Sequence, residues 1–182
     1  FDAYRLGEVA NDISLAEPVL RNAHMVSLDL RSVKASEISM SANFSPNGFN
    51  GREICAISRY AGISDKVSVF GLYEMENTVQ SQQLIAQIIW YFIEGINFRI
   101  KESPYTKTDD FVKYNVPSED EELVFYKSLL TERWWTEVPS IFTSHTKANT
   151  PALLPCTEKD YVDACNQQIP ERWFKAYKKG FN

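Results

Sequence analysis

An α/β fold organised on a parallel sheet, with an antiparallel hairpin and helices appended after it, is the architecture the sequence predicts. Three observations carry it. Residues 25–30, Met25-Val26-Ser27-Leu28-Asp29-Leu30, are apolar almost throughout, as in a strand buried on both faces of a helix-covered parallel sheet. A second run, Val67-Ser68-Val69-Phe70-Gly71-Leu72-Tyr73, follows a helical pattern, so residues 25–74 read strand, helix, strand, the right-handed crossover of parallel strands. From Tyr105 the helical period gives way to alternation. This sets residues 1–103 apart as the α/β part and residues 104–182 as an extension packing on it.

Taken in order, residues 1–14 predict only a short helix or turn, and residues 17–23 a helical turn in which Pro18 sits where a missing N–H costs nothing. After the first strand, residues 32–50 are rich in Ser and Asn and carry Pro46-Asn47-Gly48, which predicts a long loop. Asn50 and Glu53 have the spacing of a reciprocal helix cap. The helix they start runs to about Tyr60, with Ile54, Ile57 and Ala61 on one face and Gly62 as its stop. Residues 79–100 predict a long helix with Leu84, Ile85, Ile88, Ile89, Phe92 and Ile96 as a wide apolar face covering the sheet, ended by Ser103-Pro104. In the extension, residues 123–138 form two strand-like runs joined near Thr131-Glu132, the expected hairpin, and Pro139, Pro151 and Pro155 mark a loop. Thr157 and Asp160 predict a capped helix over 158–167, and Pro170 opens a last one through Tyr177.

Composition bounds the function. The 182 residues are 44% hydrophobic and 13% aromatic, enough for a folded core. A formal charge of -5, with no basic cluster interleaved with aromatics, argues against a nucleic-acid partner. Residues 84–93, broken by Gln87, fall short of the ~20 apolar residues a membrane helix needs. Cys55, Cys156 and Cys165 make no paired motif, so the expected setting is reducing and cytoplasmic, without a disulfide framework or thiolate zinc site. The chain starts at Phe1, which reads as a fragment or a processed product.

Asp29 and Glu74 stand at the carboxyl ends of the two predicted parallel strands, where α/β sheets bind ligands. Side chains two apart on a strand share a face, so Asp29 and Arg31 can share one site. Two carboxylates there suit a divalent cation or a cationic substrate; the plainer reading is that each caps a helix or pairs with a surface base. His24 and His145 lie at no ligand spacing from a carboxylate, so a transition-metal or hydrolytic site is hard to assemble. Cys55 reads as core, and Trp134, Trp135 and Trp173 as packing more than as a binding surface. Gly48 and Gly51 flank a helix start without the spacing that cradles phosphate.

Ser27-Leu28-Asp29-Leu30, Gly48-Phe49-Asn50-Gly51-Arg52-Glu53 and Gly71-Leu72-Tyr73-Glu74, in that order and spacing, resemble the carboxyl-terminal half of the ureohydrolases, the superfamily of arginase, agmatinase and formimidoylglutamase. The tail, with Arg133-Trp134-Trp135 and Ile169-Pro170-Glu171-Arg172-Trp173, is similar to a formimidoylglutamase-like lineage extended past the usual last helix. The resemblance implies a three-layer α/β/α parallel sheet of the arginase kind and a pair of manganese ions. Asp29 would be a metal ligand, and Glu74 would hold a small guanidino or formimino substrate attacked by metal-bound hydroxide. Arg31 stands where the family has a second ligating Asp, and Gly71 where it has an acid three residues before the substrate Glu. The family's upstream His and Asp-x-His-x-Asp motifs are absent from the chain. Two strands alone leave apolar faces and edges open, so the missing amino-terminal half or another chain is expected to complete the fold, and a homo-oligomer is the expected assembly. Two functions follow: the carboxyl-terminal part of a manganese hydrolase, or a fold kept without its metal for binding or assembly.

Overall fold

The computed structural model describes residues 3–38, 45–118, 122–139 and 151–180. The chain divides into two compact units, Phe1–Lys101 and Glu102–Asn182. Part of the Ser/Asn-rich loop, His145 and the middle of the Pro-containing loop lie outside the described residues.

The first unit opens with α1 (Leu6–Asn11) and α2 (Ala16–Arg21), the latter with Pro18 buried in its first turn. Strand β1 (Met25–Asp29) follows, then a 3-10 turn over Leu30–Ser32 and the single turn α3 (Ala35–Ile38). Helix α4 (Gly51–Ile63) begins at the cap the sequence predicts. The Asn50 side chain accepts the Glu53 amide at 2.9 Å, and Glu53 accepts the Asn50 amide at 2.9 Å. Strand β2 (Val69–Tyr73) and helix α5 (Val79–Ile96) complete the unit, α5 being capped by the Thr78 hydroxyl. Strand β2 pairs in parallel with β1, Met25 facing Val69 and Asp29 facing Tyr73.

Helices α4 and α5 are in close contact because two glycines face across them. A Cβ on Gly95 would lie 2.5 Å from the Arg59 carbonyl oxygen, and one on Gly62 would strike the Phe92 carbonyl. Gly62 therefore lies inside the helix as a contact point and does not end it. Around this contact Leu28, Leu30, Val33, Ile38, Ile54, Cys55, Leu84 and Ile88 form the core, and Phe70 stacks on Phe92 with centroids 4.4 Å apart. Each fully buried aliphatic side chain there stabilises the unit by roughly 1.5–3 kcal/mol. Polar ties finish the packing: Arg59 pairs with Glu94 at 2.6 Å, and Arg99 donates to the carbonyls of Gly62 and Val67 at 2.7 and 3.0 Å.

The second unit is a four-stranded antiparallel sheet in the order β3 (Phe111–Pro117), β4 (Glu122–Ser128), β5 (Trp134–Val138), β6 (Ala152–Cys156), followed by α6 (Glu158–Cys165) and α7 (Glu171–Gly180). The β4–β5 turn is organised by the Glu102 carboxylate. It accepts from the Ser128 and Thr131 hydroxyls at 2.8 and 2.5 Å and lies 3.5 Å from the Arg133 guanidinium. Phe125, Trp134, Val138 and Trp173 centre this core, and the Trp173 indole donates to the Glu137 carbonyl at 2.7 Å.

The expected three-layer α/β/α parallel sheet is not what the chain forms. Among the described residues the parallel sheet has two strands, β1 and β2, with one isolated parallel bridge between Val33 and Phe49 beside it, and the other sheet is separate and antiparallel. Burial along the two parallel strands gives the reason: Met25, Val69 and Tyr73 are exposed while Leu28 is buried, so one face is covered and the other open. An apolar run reads the same whether one face or two are covered, and here only one is. The hairpin is likewise the middle of a larger sheet. Strand β6 occupies the expected Pro loop because an edge strand tolerates Pro155, which faces Trp135 across the ladder.

Candidate functional site

The carboxyl ends of β1 and β2 bring Asp29, Arg31 and Glu74 into one neighbourhood. Asp29 is the last residue of β1 and the cap of the 3-10 turn that follows, its carboxylate accepting the Arg31 amide at 2.9 Å. This Asx-type turn curls the chain back, and the Arg31 guanidinium closes on the same carboxylate. Its Nε lies 3.1 Å from both Asp29 oxygens and its Nη2 2.5 Å from Oδ2. The Ser32 hydroxyl donates to the Asp29 carbonyl at 2.7 Å and fixes the turn. Asp29 and Arg31 thus meet through a turn, not through a shared strand face as the spacing suggested.

The charges follow the geometry. The side-chain hydrogen bond from Arg31 holds the Asp29 carboxyl below its usual value, against desolvation, which pushes it up. The Arg31 guanidinium is raised further above its usual value, first by the Asp29 hydrogen bond, then by the Asp29 charge, then by that of Glu74. Glu74, the first residue past β2, adopts φ 57, the left-handed region that costs a side-chain-bearing residue of order 1 kcal/mol. That conformation turns the chain immediately at the end of the strand, next to the Asp29–Tyr73 pair. The three groups form an acid, a base and an acid on an exposed strand end.

A manganese site needs several oxygen or imidazole donors converging on one point. Both Asp29 oxygens are instead engaged by a cation, and no group of three or more His, Cys, Asp and Glu that could hold a metal ion occurs among the described residues. At Gly71 the Tyr73 ring fills the space: a Cβ there would lie 2.8 Å from Cε2. The donors among the described residues do not fit the metal.

The His24 carbonyl accepts from the Ser68 amide and hydroxyl at 2.9 and 3.1 Å, tying the starts of β1 and β2. Cys55 is buried and its thiol is pushed up by burial, the opposite of an activated nucleophile. Cys55, Cys156 and Cys165 are unbridged. Trp134, Trp135 and Trp173 are all buried. Gly51 sits at the start of α4, where its amide donates to the Glu37 carboxylate at 3.0 Å, so that helix end already faces an acid.

Sequence reasoning missed a second polar cluster, in the antiparallel unit. The Tyr126 hydroxyl donates to Glu137 at 2.6 Å, and burial, then the Glu137 charge, push the Tyr105 phenol up to about 12. Tyr105, Phe111, Lys113 and Tyr126 line a cavity of about 340 Å³ there. Its only sequence signal is the pair of strand-like runs that become β4 and β5, and the register, which sets Tyr126 opposite Trp135 and so diagonal to Glu137, could not be read from composition. No helix among the described residues is long and apolar enough to cross a membrane. No protein-family model, curated protein or solved structure matches the chain.

Proposed function

We propose that this chain is related to the carboxyl-terminal half of the ureohydrolases and serves in binding or assembly without metal chemistry. The observation that carries the reading is the Arg31 guanidinium bonded to both oxygens of Asp29, the residue that would otherwise ligate manganese. An arginine in this fork geometry satisfies a carboxylate more completely than a point charge does, and displacing it would leave a cation beside the metal. Glu74, whose charge acts on Arg31, keeps an acid available at the strand end for a cationic partner such as a guanidino or formimino compound. The open face of β1 and β2, with Met25, Val69 and Tyr73 exposed, supports a second polypeptide as the partner in assembly. The cytoplasm is the setting we assign, in keeping with three unbridged thiols.

The test uses the whole chain with manganese and a panel of linear guanidino and formimino compounds, with release of urea or formamide as the readout. The expected result is no release by wild type, together with manganese affinity that rises at least about tenfold in Arg31→Asp, which replaces the bonded cation with a third carboxylate. Release of urea or formamide by wild type would overturn the proposal and restore Asp29 and Glu74 to a hydrolase.

A further inference from the structure

The antiparallel sheet packs its core on one side and holds a cavity on the other. Phe125 and Trp134 lie on the side where Ala164 of α6 and Trp173 of α7 pack. Lys113, Tyr126 and Trp135 are register partners across β3, β4 and β5, so they share the opposite side, with Phe111 two residues before Lys113. Pro104, Tyr105 and Thr108 join Phe111, Lys113 and Tyr126 there to line the cavity of about 340 Å³. That volume is near the lower end of small-molecule sites, ~300–1,000 Å³, and suits a compound of one or two rings. The walls are aromatic: Tyr105 and Tyr126 meet edge to face with centroids 6.3 Å apart, and Phe111 meets Trp135 likewise at 5.5 Å. The phenol protons are committed, Tyr105 donating to the Pro151 carbonyl at 3.0 Å and Tyr126 to Glu137 at 2.6 Å. Burial first, then Glu137, raises both phenols, Tyr105 to about 12, so neither adds a negative charge at neutral pH. Glu137 itself does not line the cavity. Lys113 is the one charged residue of the lining, and it makes no ion pair among the described residues. Its ammonium lies 5.8 Å from the centre of the Tyr126 ring.

We propose that this cavity binds a small aromatic carboxylate, its ring against Tyr105, Phe111 and Tyr126 and its carboxylate on the Lys113 ammonium. Aromatic walls offer a flat ring both faces and edges to pack on. They also attract cations, but Lys113 already stands over Tyr126, and a second cation would meet its repulsion. A neutral ring would take water from the ammonium without replacing it. A carboxylate replaces that water with a charge-assisted hydrogen bond. The inference goes beyond the binding role proposed above and is independent of it, since Asp29, Arg31 and Glu74 take no part.

Isothermal titration calorimetry of the full chain with indole-3-carboxylate, indole-3-carboxamide and indol-3-ylmethanamine tests it, because the three probes share a ring system and differ in charge. The expected result is one carboxylate bound per chain with a dissociation constant below about 1 mM. The carboxamide and the amine should bind at least about threefold more weakly, a modest margin because Lys113 is exposed. Lys113→Gln is expected to lower the carboxylate to the affinity of the carboxamide and to leave the carboxamide unchanged, while Tyr105→Ser weakens both. Far-ultraviolet circular dichroism should be the same in each variant, as both positions are exposed. Lys127→Gln is the control: its ammonium stands 5.4 Å from the centre of the Trp134 ring on the other side of the sheet, and its loss leaves carboxylate binding intact. No saturable heat with the carboxylate, an affinity for the carboxamide or the amine that equals or exceeds it, binding unmoved by Lys113→Gln or by Tyr105→Ser, or an equal loss in Lys127→Gln would each overturn the inference.

Discussion

Arg31 closes on Asp29 because the residue between them, Leu30, is fully buried and pins the turn while the two polar side chains remain near the surface. At this scale the pair has a pH signature. Asp29 has its carboxyl lowered by Arg31, so its contribution to stability is present above the unfolded value of about 3.9 and is lost as pH falls through the lower folded value. Because both side chains are about half exposed, that contribution is small. The direct readout is carbon NMR of the Asp29 carboxyl: Arg31→Ala is expected to move its titration up toward the ordinary range, and an unmoved titration would contradict the pairing. The placement of two acids was legible in the sequence: Asp29 ends one parallel strand and Glu74 directly follows the other. How they stand was not. A two-residue spacing specifies a shared face only while the strand continues, and here the 3-10 turn begins at Leu30.

At the scale of elements, the capped helices were the most legible features, because a cap is a local interaction among four residues. Asn50 with Glu53 and Thr157 with Asp160 both form the reciprocal bonds their spacing predicts. Helix α5 was legible as a helix but not as to which side it buries. Ile89 and Ile96, read with the core face, are exposed, because apolar residues on both sides of a helix do not tell which side meets the sheet. Gly62 illustrates the same limit: a glycine near a helix end suggests a stop, yet its backbone φ is not positive and its role is contact with α5. From that contact follows a prediction for Gly95→Ala. The added methyl gains helix propensity of up to about 1 kcal/mol but must push the Arg59 carbonyl away, an overpacking cost of about 1–3 kcal/mol at a backbone that cannot rotate aside. Urea unfolding should show a net loss of about 1–2 kcal/mol, whereas a gain would mean the helices are not in close contact at this point.

For the whole molecule, a two-stranded parallel sheet and a separate four-stranded antiparallel sheet stand where a three-layer parallel sheet with an appended hairpin was expected. One strand-helix-strand unit was correctly read over residues 25–74, and extrapolating it to a larger sheet was the error. Strand pairing beyond a unit is non-local, so it is set by which faces find cover, and a hydrophobic run does not carry that information. In the antiparallel unit the alternation after Tyr105 and the β4–β5 hairpin were visible, whereas β6 pairs at an edge through a Pro-containing segment that looks irregular in isolation. The same consideration bears on function, since a motif resemblance places acids at strand ends but not the cation that binds them. Manganese titration of the intact wild-type protein, following free aqueous manganese by electron paramagnetic resonance, is the most direct measurement. With Asp29 committed to Arg31, the free-ion signal should rise in proportion to added metal, as it does in buffer. Retention of one or two manganese ions per chain at micromolar concentration would contradict that assignment and place Asp29 in a metal centre.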